Sequence, residues 1–264
     1  MHVLLTGATG IAGRFLRPAL MRAGHRVTCL GRYPGDHPWS LADRDPRLPP
    51  ADALVHAAFS HQPGAYRGGE GDDPEGFLRL NLDGSRALFA AAGARRIVFL
   101  SSRAVYGDRG RGGFLFETDT PEPESLYGRM KLGCEAALGA NGIALRATGL
   151  YGGPDHKWRG LFADYLTGRP IAPRAGTEVH GEDLATAVLV ALAEGAGVLN
   201  VSDLMLDRHD LLARVQARTG CPHPLPPRAE APLPGRMATC RLRRLGWRPG
   251  GLPRLDAFLD AALR

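Results

Sequence analysis

Tyr127 and Lys131 stand four residues apart. On a helix that spacing puts both side chains on one face. Ser125 precedes them as an N-cap, and Leu126, Met130 and Ala137 would form a neighbouring apolar stripe. A free tyrosine has a pKa of about 10 and is a poor base at neutral pH. A lysine cation beside it favours the phenolate. A tyrosine so tuned can exchange a proton with a carbonyl or alcohol oxygen. A further hydroxyl stands in Val98-Phe99-Leu100-Ser101-Ser102-Arg103-Ala104-Val105-Tyr106-Gly107. At the C-terminal end of a strand it would face the crevice of an open sheet, so Ser102 could bond the same oxygen as Tyr127. Taken singly, Tyr-x-x-x-Lys is also a common solvent-facing helix pair, and Ser-Ser a common strand-end cap.

The N-terminus supplies the context. Thr6-Gly7-Ala8-Thr9-Gly10-Ile11-Ala12-Gly13 follows an apolar run and opens a helical pattern. Gly7 permits the tight turn, Gly10 lets the backbone approach a pyrophosphate, and Gly13 allows close helix–strand packing. The positive end of the helix then faces the phosphates. Strand–turn–helix is the setting this dinucleotide fingerprint requires. Gly7, Thr9, Gly10, Ile11 and Gly13 are therefore expected at the cofactor. The next strand ends Cys29-Leu30-Gly31-Arg32, with no carboxylate for the adenosine ribose. Arg32 could pair with a 2′-phosphate, which favours NADP over NAD. The positive ring of an oxidised nicotinamide would also favour a phenolate at Tyr127.

These elements imply a frame. Short apolar runs at 3–5, 26–30, 53–57 and 96–100 read as strands, and the last is apolar without alternation, as in a parallel sheet buried on both faces. Helical spacing over 11–23, 74–92 and 125–141 alternates with them, which predicts an α/β doubly wound, Rossmann-type parallel sheet. Loops at 33–50 and 60–76 follow strand ends, where such sheets bind ligands. The pattern is less regular after about residue 150. The segment 221–234 holds six prolines, so it is neither helix nor central strand.

The ordered set of motifs resembles the extended short-chain dehydrogenase/reductases of the NAD-dependent epimerase/dehydratase family. His56-Ala57-Ala58 resembles the family's third-strand motif beside the cofactor, and Asn81-Leu82-Asp83-Gly84 its Asn-x-x-Gly on the following helix. Glu117 and Pro123 precede Tyr127-Gly128-Arg129-Met130-Lys131 as they do there. Leu145-Arg146 and Leu150-Tyr151-Gly152-Gly153-Pro154 resemble its next strand and turn. Val179-His180-Gly181-Glu182-Asp183-Leu184-Ala185 resembles the segment returning to the cofactor domain, and Leu245-Gly246-Trp247-Arg248-Pro249 its C-terminal signature. The resemblance implies Tyr127 as acid/base, Lys131 holding the nicotinamide ribose, Ser102 orienting the substrate oxygen, and His56, Ala57, Ala58 and Asn81 near the cofactor. It also implies a cofactor domain over 1–150, joined by 177–203, and a substrate region over 151–264. The family often pairs through two helices, here 74–92 and 125–141, so a homodimer is one expectation. Where its sugar-nucleotide dehydratases carry an acidic pair, this chain has Arg103 and Ala104. Elimination of water is therefore not expected. Hydride transfer at a secondary alcohol or ketone remains, with a nucleotide-linked sugar as the expected substrate. The alternatives are a carbonyl reductase for a non-sugar substrate and a non-catalytic NAD(P) sensor. Arg159, Arg169 and Arg174 are candidate anion contacts, though on sequence alone each reads more readily as a surface arginine. His180 reads as a structural histidine, and Trp158 and Trp247 as core.

Composition closes off other classes. The chain has 264 residues, 44% hydrophobic and 23% charged, with net charge +6. That is a globular composition, long enough for a substantial core. The basic residues are spread along the chain without a nucleic-acid motif, so no nucleic-acid partner is expected. Cys29, Cys134, Cys221 and Cys240 have no zinc-like or disulfide-framework spacing. No apolar run reaches the roughly 20 residues of a membrane span, nor does the start resemble a signal peptide, so a cytoplasmic setting without a membrane partner is expected. Lys131 and Lys157 are the only lysines among 33 basic side chains. A compact ammonium is not equivalent to a guanidinium, so a lysine retained at 131 marks that position.

Overall fold

The computed structural model describes residues 1–31, 36–62, 69–108 and 112–264. Its elements begin β1 (His2–Thr6), α1 (Gly13–Arg22), β2 (Arg26–Gly31), β3 (His37–Pro38), β4 (Ala53–His56), α2 (Pro74–Leu78), α3 (Gly84–Ala92) and β5 (Arg96–Ser102). They continue β6 (Phe114–Leu115), α4 (Leu126–Ala136), β7 (Gly142–Ala147), β8 (Gly149–Tyr151), α5 (Arg159–Leu166), β9 (Ala175–His180) and α6 (Gly181–Glu194). The chain ends β10 (Gly197–Val201), β11 (Leu204–Asp207), α7 (Arg208–Thr219), β12 (Arg236–Met237), α8 (Cys240–Arg244) and α9 (Gly251–Ala262).

Seven strands form a parallel sheet in the order β10-β7-β5-β4-β1-β2-β3. The order reverses at β1, which pairs with β2 on one side and β4 on the other. Ligands of open α/β sheets bind in the crevice at such a switch point. Both faces are covered, as the unbroken apolar strands require. Val3, Leu5, Val55, Val98 and Leu145 pack towards α1 and α6, whereas Leu4, Leu54, Ile97 and Phe99 pack towards α3 and α4. Each fully buried Leu or Val contributes about 1.5–3 kcal/mol of transfer free energy.

Two helices differ from the sequence expectation. The 74–92 stretch is broken into α2, a wide π-turn at Arg79–Asp83, and α3. Asn81 lies in that turn, with its side-chain amide bonded to Ser60 outside the helix and to the Phe77 carbonyl within it. Helix α4 ends at Ala136 rather than running to 141, because the chain turns at Gly139 to enter β7. The 221–234 segment is free of helix and strand. Past β8 the chain builds a smaller three-stranded sheet, β11-β9-β8, and a separate apolar cluster around Tyr151, Trp158, Phe162 and Phe258. Between these, α6 returns to pack on α1, and β10 closes the main sheet beside β7.

Candidate active site

A cleft of about 1800 Å3 opens where the main sheet meets the smaller one. Its inner wall begins with the glycine turn, Gly7 to Ala12, between β1 and α1. Gly13 lies just beneath. A Cβ there would sit 2.1 Å from the Gly7 carbonyl oxygen, so only glycine lets α1 start this close to the turn. Leu30, Gly31 and Trp39 continue the wall at the end of β2, and Ala57 to His61 at the end of β4. Trp39 is 6% exposed, and its indole Nε1–H is buried without an acceptor among the described residues.

Ser102, Tyr127 and Lys131 converge on this cleft. Ser102 ends β5, and its hydroxyl caps the following turn by accepting the Ala104 amide at 3.1 Å. Ser125 caps α4 by accepting the Gly128 amide at 3.0 Å. A Cβ at Gly128 would lie 2.5 Å from the Ala104 carbonyl oxygen, so α4 rests directly on the turn that follows Ser102. That contact brings the Ser102 and Tyr127 ends of the two elements together. Lys131 is 6% exposed, and its Nζ donates to the Leu100 carbonyl at 2.8 Å. The ammonium lies 4.7 Å from the ring centre of Phe99, 5.3 Å from Phe59 and 5.8 Å from Tyr127. Aromatic faces stabilise such a cation while burial disfavours its charge. Burial dominates and lowers the Lys131 pKa to about 8, with the Cys134 and Glu135 charges opposing the shift.

Behind this site lies a buried ion pair. Arg146 and Glu135 have side chains 4% and 6% exposed, with Nη2 to Oε2 at 2.7 Å. Glu135 also accepts a hydrogen bond from Ser101, the neighbour of Ser102. Tyr127, Lys131 and Glu135 therefore share one face of α4, reaching from the cleft into the core.

The structure separates the sequence-predicted residues. Gly7, Thr9, Gly10, Ile11, Ala57 and Ala58 line the cleft with Ser102, Tyr127 and Lys131. Gly13 does not; its place is under the turn. His56 and Asn81 do not line it either. His56 is 0% exposed, because strand alternation turns it away from the cleft, against Trp39, Phe89 and Phe99. The Thr6 hydroxyl accepts the Ala57 and Ala58 amides and donates to His56 Nδ1 at 2.7 Å. His56 Nε2–H then donates to Ser85 at 2.9 Å, and Ser85 donates to the Asn81 carbonyl. This chain fixes a neutral tautomer, and desolvation with the Lys131 charge lowers the His56 pKa to about 3. Asn81 clamps Ser60 through both backbone groups, at 2.7 and 2.8 Å, and so shapes the loop that lines the cleft. Arg32 lies outside the described residues. The Asp36 carboxylate near the end of β2 accepts the Cys29 amide at 2.9 Å and is not in the wall.

In the outer half, Arg174 lines the cleft, whereas Arg159 and Arg169 are exposed and pair with Asp155 and Asp164. His180 caps α6 beneath Phe15 and Tyr151, with its pKa lowered to about 4 by burial and by Arg254. Trp247 is core, and Trp158 is buried with one side at the cleft. Sequence reasoning missed Trp39, Lys157, Glu178 and Arg208, which also line it. Only Lys157 carried a signal, as the second of two lysines in an arginine-rich chain. Among the described residues no cluster of His, Cys, Asp and Glu could hold a metal, and no helix is long and apolar enough to cross a membrane.

The chain matches the model of the NAD dependent epimerase/dehydratase family over residues 3–202. It is 30% identical to a 3-diazoavenalumate denitrifying reductase of Streptomyces, across 77% of this chain and 76% of that protein. It is 33% identical to a dTDP-4-dehydrorhamnose reductase of Streptomyces griseus, across 69% of this chain and 62% of that one. Among solved structures, a human epimerase family protein with NADPH superposes with a TM-score of 0.79 at 21% identity, covering 100% and 99% of the two chains.

Proposed function

The chain belongs to the NAD dependent epimerase/dehydratase family, and on that premise we propose that it is an NAD(P)-dependent oxidoreductase or epimerase acting on a secondary alcohol or ketone. The observation that carries this reading is the meeting of Tyr127, Lys131 and Ser102 with the glycine turn in one cleft. The glycine turn, Gly31, Trp39, Ala57, Ala58 and Lys131 would hold the dinucleotide. The bound nicotinamide would give or accept the hydride. Tyr127 would exchange the proton at the substrate oxygen, and Ser102 would hold that oxygen in place. Lys131, fixed by Leu100, keeps a positive charge close to the tyrosine. No acidic pair follows Ser102 to drive elimination, since Arg103 and Ala104 stand there.

NADP(H) is the preferred cofactor, because β2 ends in Gly31-Arg32 and its nearby carboxylate, Asp36, is engaged elsewhere. A nucleotide-linked sugar is the leading substrate class, supported by the likeness to a dTDP-4-dehydrorhamnose reductase. The second reading is a carbonyl reductase for a non-sugar substrate, favoured by the likeness to the diazoavenalumate reductase. The proposed domain division assigns residues 1–150 with 177–203 to the cofactor, and the rest of 151–264 mainly to substrate. A homodimer through the α2–α3 and α4 faces completes the proposal.

The test is a screen of NADPH oxidation, with product analysis for redox-neutral epimerisation, using sugar nucleotides, simple ketones and aldehydes. Turnover with the first class supports the leading reading, and turnover only with the others supports the second. Tight NADPH binding without turnover in any class would overturn both in favour of a sensor. Tighter binding of NADH than NADPH would overturn the cofactor preference.

A further inference from the structure

The outer half of the cleft carries charge that hydride transfer does not use. Lys157, in the loop after β8, donates from Nζ to the carboxylate of Glu178 on β9. Their side chains are 31% and 14% exposed. The Trp158 ring lies 5.4 Å from the same ammonium. Gly149 faces the pair without a side chain. A Cβ there would sit 2.5 Å from Glu178 Oε2 and 2.6 Å from Lys157 Nζ, so the ion pair fills the space another residue would claim.

Arg174 and Arg208 line the cleft beside this pair. Neither guanidinium has a carboxylate partner among the described residues, although Arg208 donates to the Ala172 carbonyl at 2.9 Å. Burial pushes the Arg208 pKa down, and the like charge of Arg174 adds to it. Three cations therefore face one carboxylate, a net +2. An ammonium has three N–H donors, and Glu178 accepts from one. A self-contained structural ion pair would balance its charge; this group has an excess and lies open to the cleft. Both lysines of the chain thus face the same cleft, one in each half.

We propose that Lys157, with Arg174 and Arg208, is the specificity-determining group of the cleft and binds an anionic part of the substrate, phosphoryl or carboxylate. Glu178 is its positioning residue and internal counter-ion. The inference rests on reading this cleft as the active site.

The test uses protein saturated with NADPH, so that the glycine turn is not available to the probe. Inorganic phosphate, pyrophosphate and oxalate are titrated by calorimetry, and the tightest of them identifies the anionic group. Lys157→Met should weaken that probe about tenfold, the loss expected for one charge-assisted hydrogen bond. Arg174→Gln and Arg208→Gln should each weaken it as well, and they remain informative if Lys157→Met does not fold. Glu178→Gln raises the site from +2 to +3 and should tighten the same probe, an opposite sign that a merely structural role would not produce. NADPH affinity should stay within about twofold in all four variants. A wild-type protein that binds none of the probes would overturn the proposal, as would charge variants that bind like wild type. Lys157→Met and Glu178→Gln shifting affinity in the same direction would overturn it too. Failure of the wild type to bind NADPH would instead defeat the reading of the cofactor half, and the probes titrated into the Lys157 and Arg208 variants without cofactor would still decide this inference.

Discussion

Lys131 carries its charge largely buried at the floor of the cleft, and that links its proton to folding. Its pKa falls from the ordinary 10.5 to about 8 through burial. The unfolded chain therefore holds this proton more tightly than the folded one. Between about pH 8 and 10.5 the unfolded state binds more protons, so stability rises with pH through that window; below it the buried charge is a constant cost. The unfolding free energy of the cofactor-free wild type, minus that of Lys131→Met, should climb from pH 8 to pH 10.5 and be flat below. Urea unfolding across pH measures it, and a flat difference above pH 8 would refute the assignment. His56 is the counter-example at this scale. A histidine at the end of a strand next to a cofactor loop reads as a ligand contact in sequence. The parity of β4 decides otherwise, since Ala57 and Ala58 reach the cleft and His56 points inward. Sequence also does not distinguish Asn81 as a contact from Asn81 as the clamp on Ser60, because the clamp depends on a π-turn with no local signature. With its pKa near 3, His56 should show a neutral imidazole by NMR throughout pH 5–8, with the proton on Nε2.

At the scale of elements, two close approaches hold the cleft in shape. Helix α1 meets the glycine turn at Gly13, where a Cβ would strike backbone at 2.1 Å. Backbone gives way less than a flexible side chain, so Gly13→Val should destabilise the fold by about 1–3 kcal/mol. It should also weaken NADPH binding, although the residue itself does not line the cleft. Chemical denaturation and a cofactor titration check both effects. Helix α4 is tied to β7 by Glu135 and Arg146. Glu135→Ala leaves the Arg146 guanidinium, 4% exposed, without its carboxylate. Removing one partner of a buried pair costs about 3–5 kcal/mol. For a chain of this size each kcal/mol lowers Tm by about 2–4 °C, so a fall of 6 °C or more is expected. The strands and the Tyr127 helix were legible in sequence because unbroken apolar runs and an i, i+4 pair are strong local signals. The break in 74–92 was not, because the π-turn has no local signature, and the end of α4 was not, because it falls where the chain turns at Gly139 into β7.

Across the whole molecule, charge and topology divide the labour. The chain carries a net charge of +6, and many of its arginines sit in exposed ion pairs, such as Arg14 with Asp155 and Arg228 with Asp210, which have little effect on stability. Arg174 and Arg208 stand in the cleft without a carboxylate partner among the described residues. The parallel sheet and its switch point were foreseeable from the order of runs in the first half. The outer half was not, because residues 151–264 build short strands and loops whose contacts are long-range, and Glu178 meets Lys157 only across two elements. Binding of NADPH to the folded state alone should raise stability by about 2.7 kcal/mol at one hundred times Kd, seen as a concentration-dependent rise in Tm. The most direct measurement compares wild type and Tyr127→Phe with the carbonyl substrate that the oxidation screen returns, reading kcat/KM and the NADPH Kd side by side. The account predicts a loss of about 10²–10⁴-fold in kcat/KM with NADPH affinity nearly unchanged, because the phenol supplies the proton and not the cofactor site. Turnover within a few fold of wild type would contradict it.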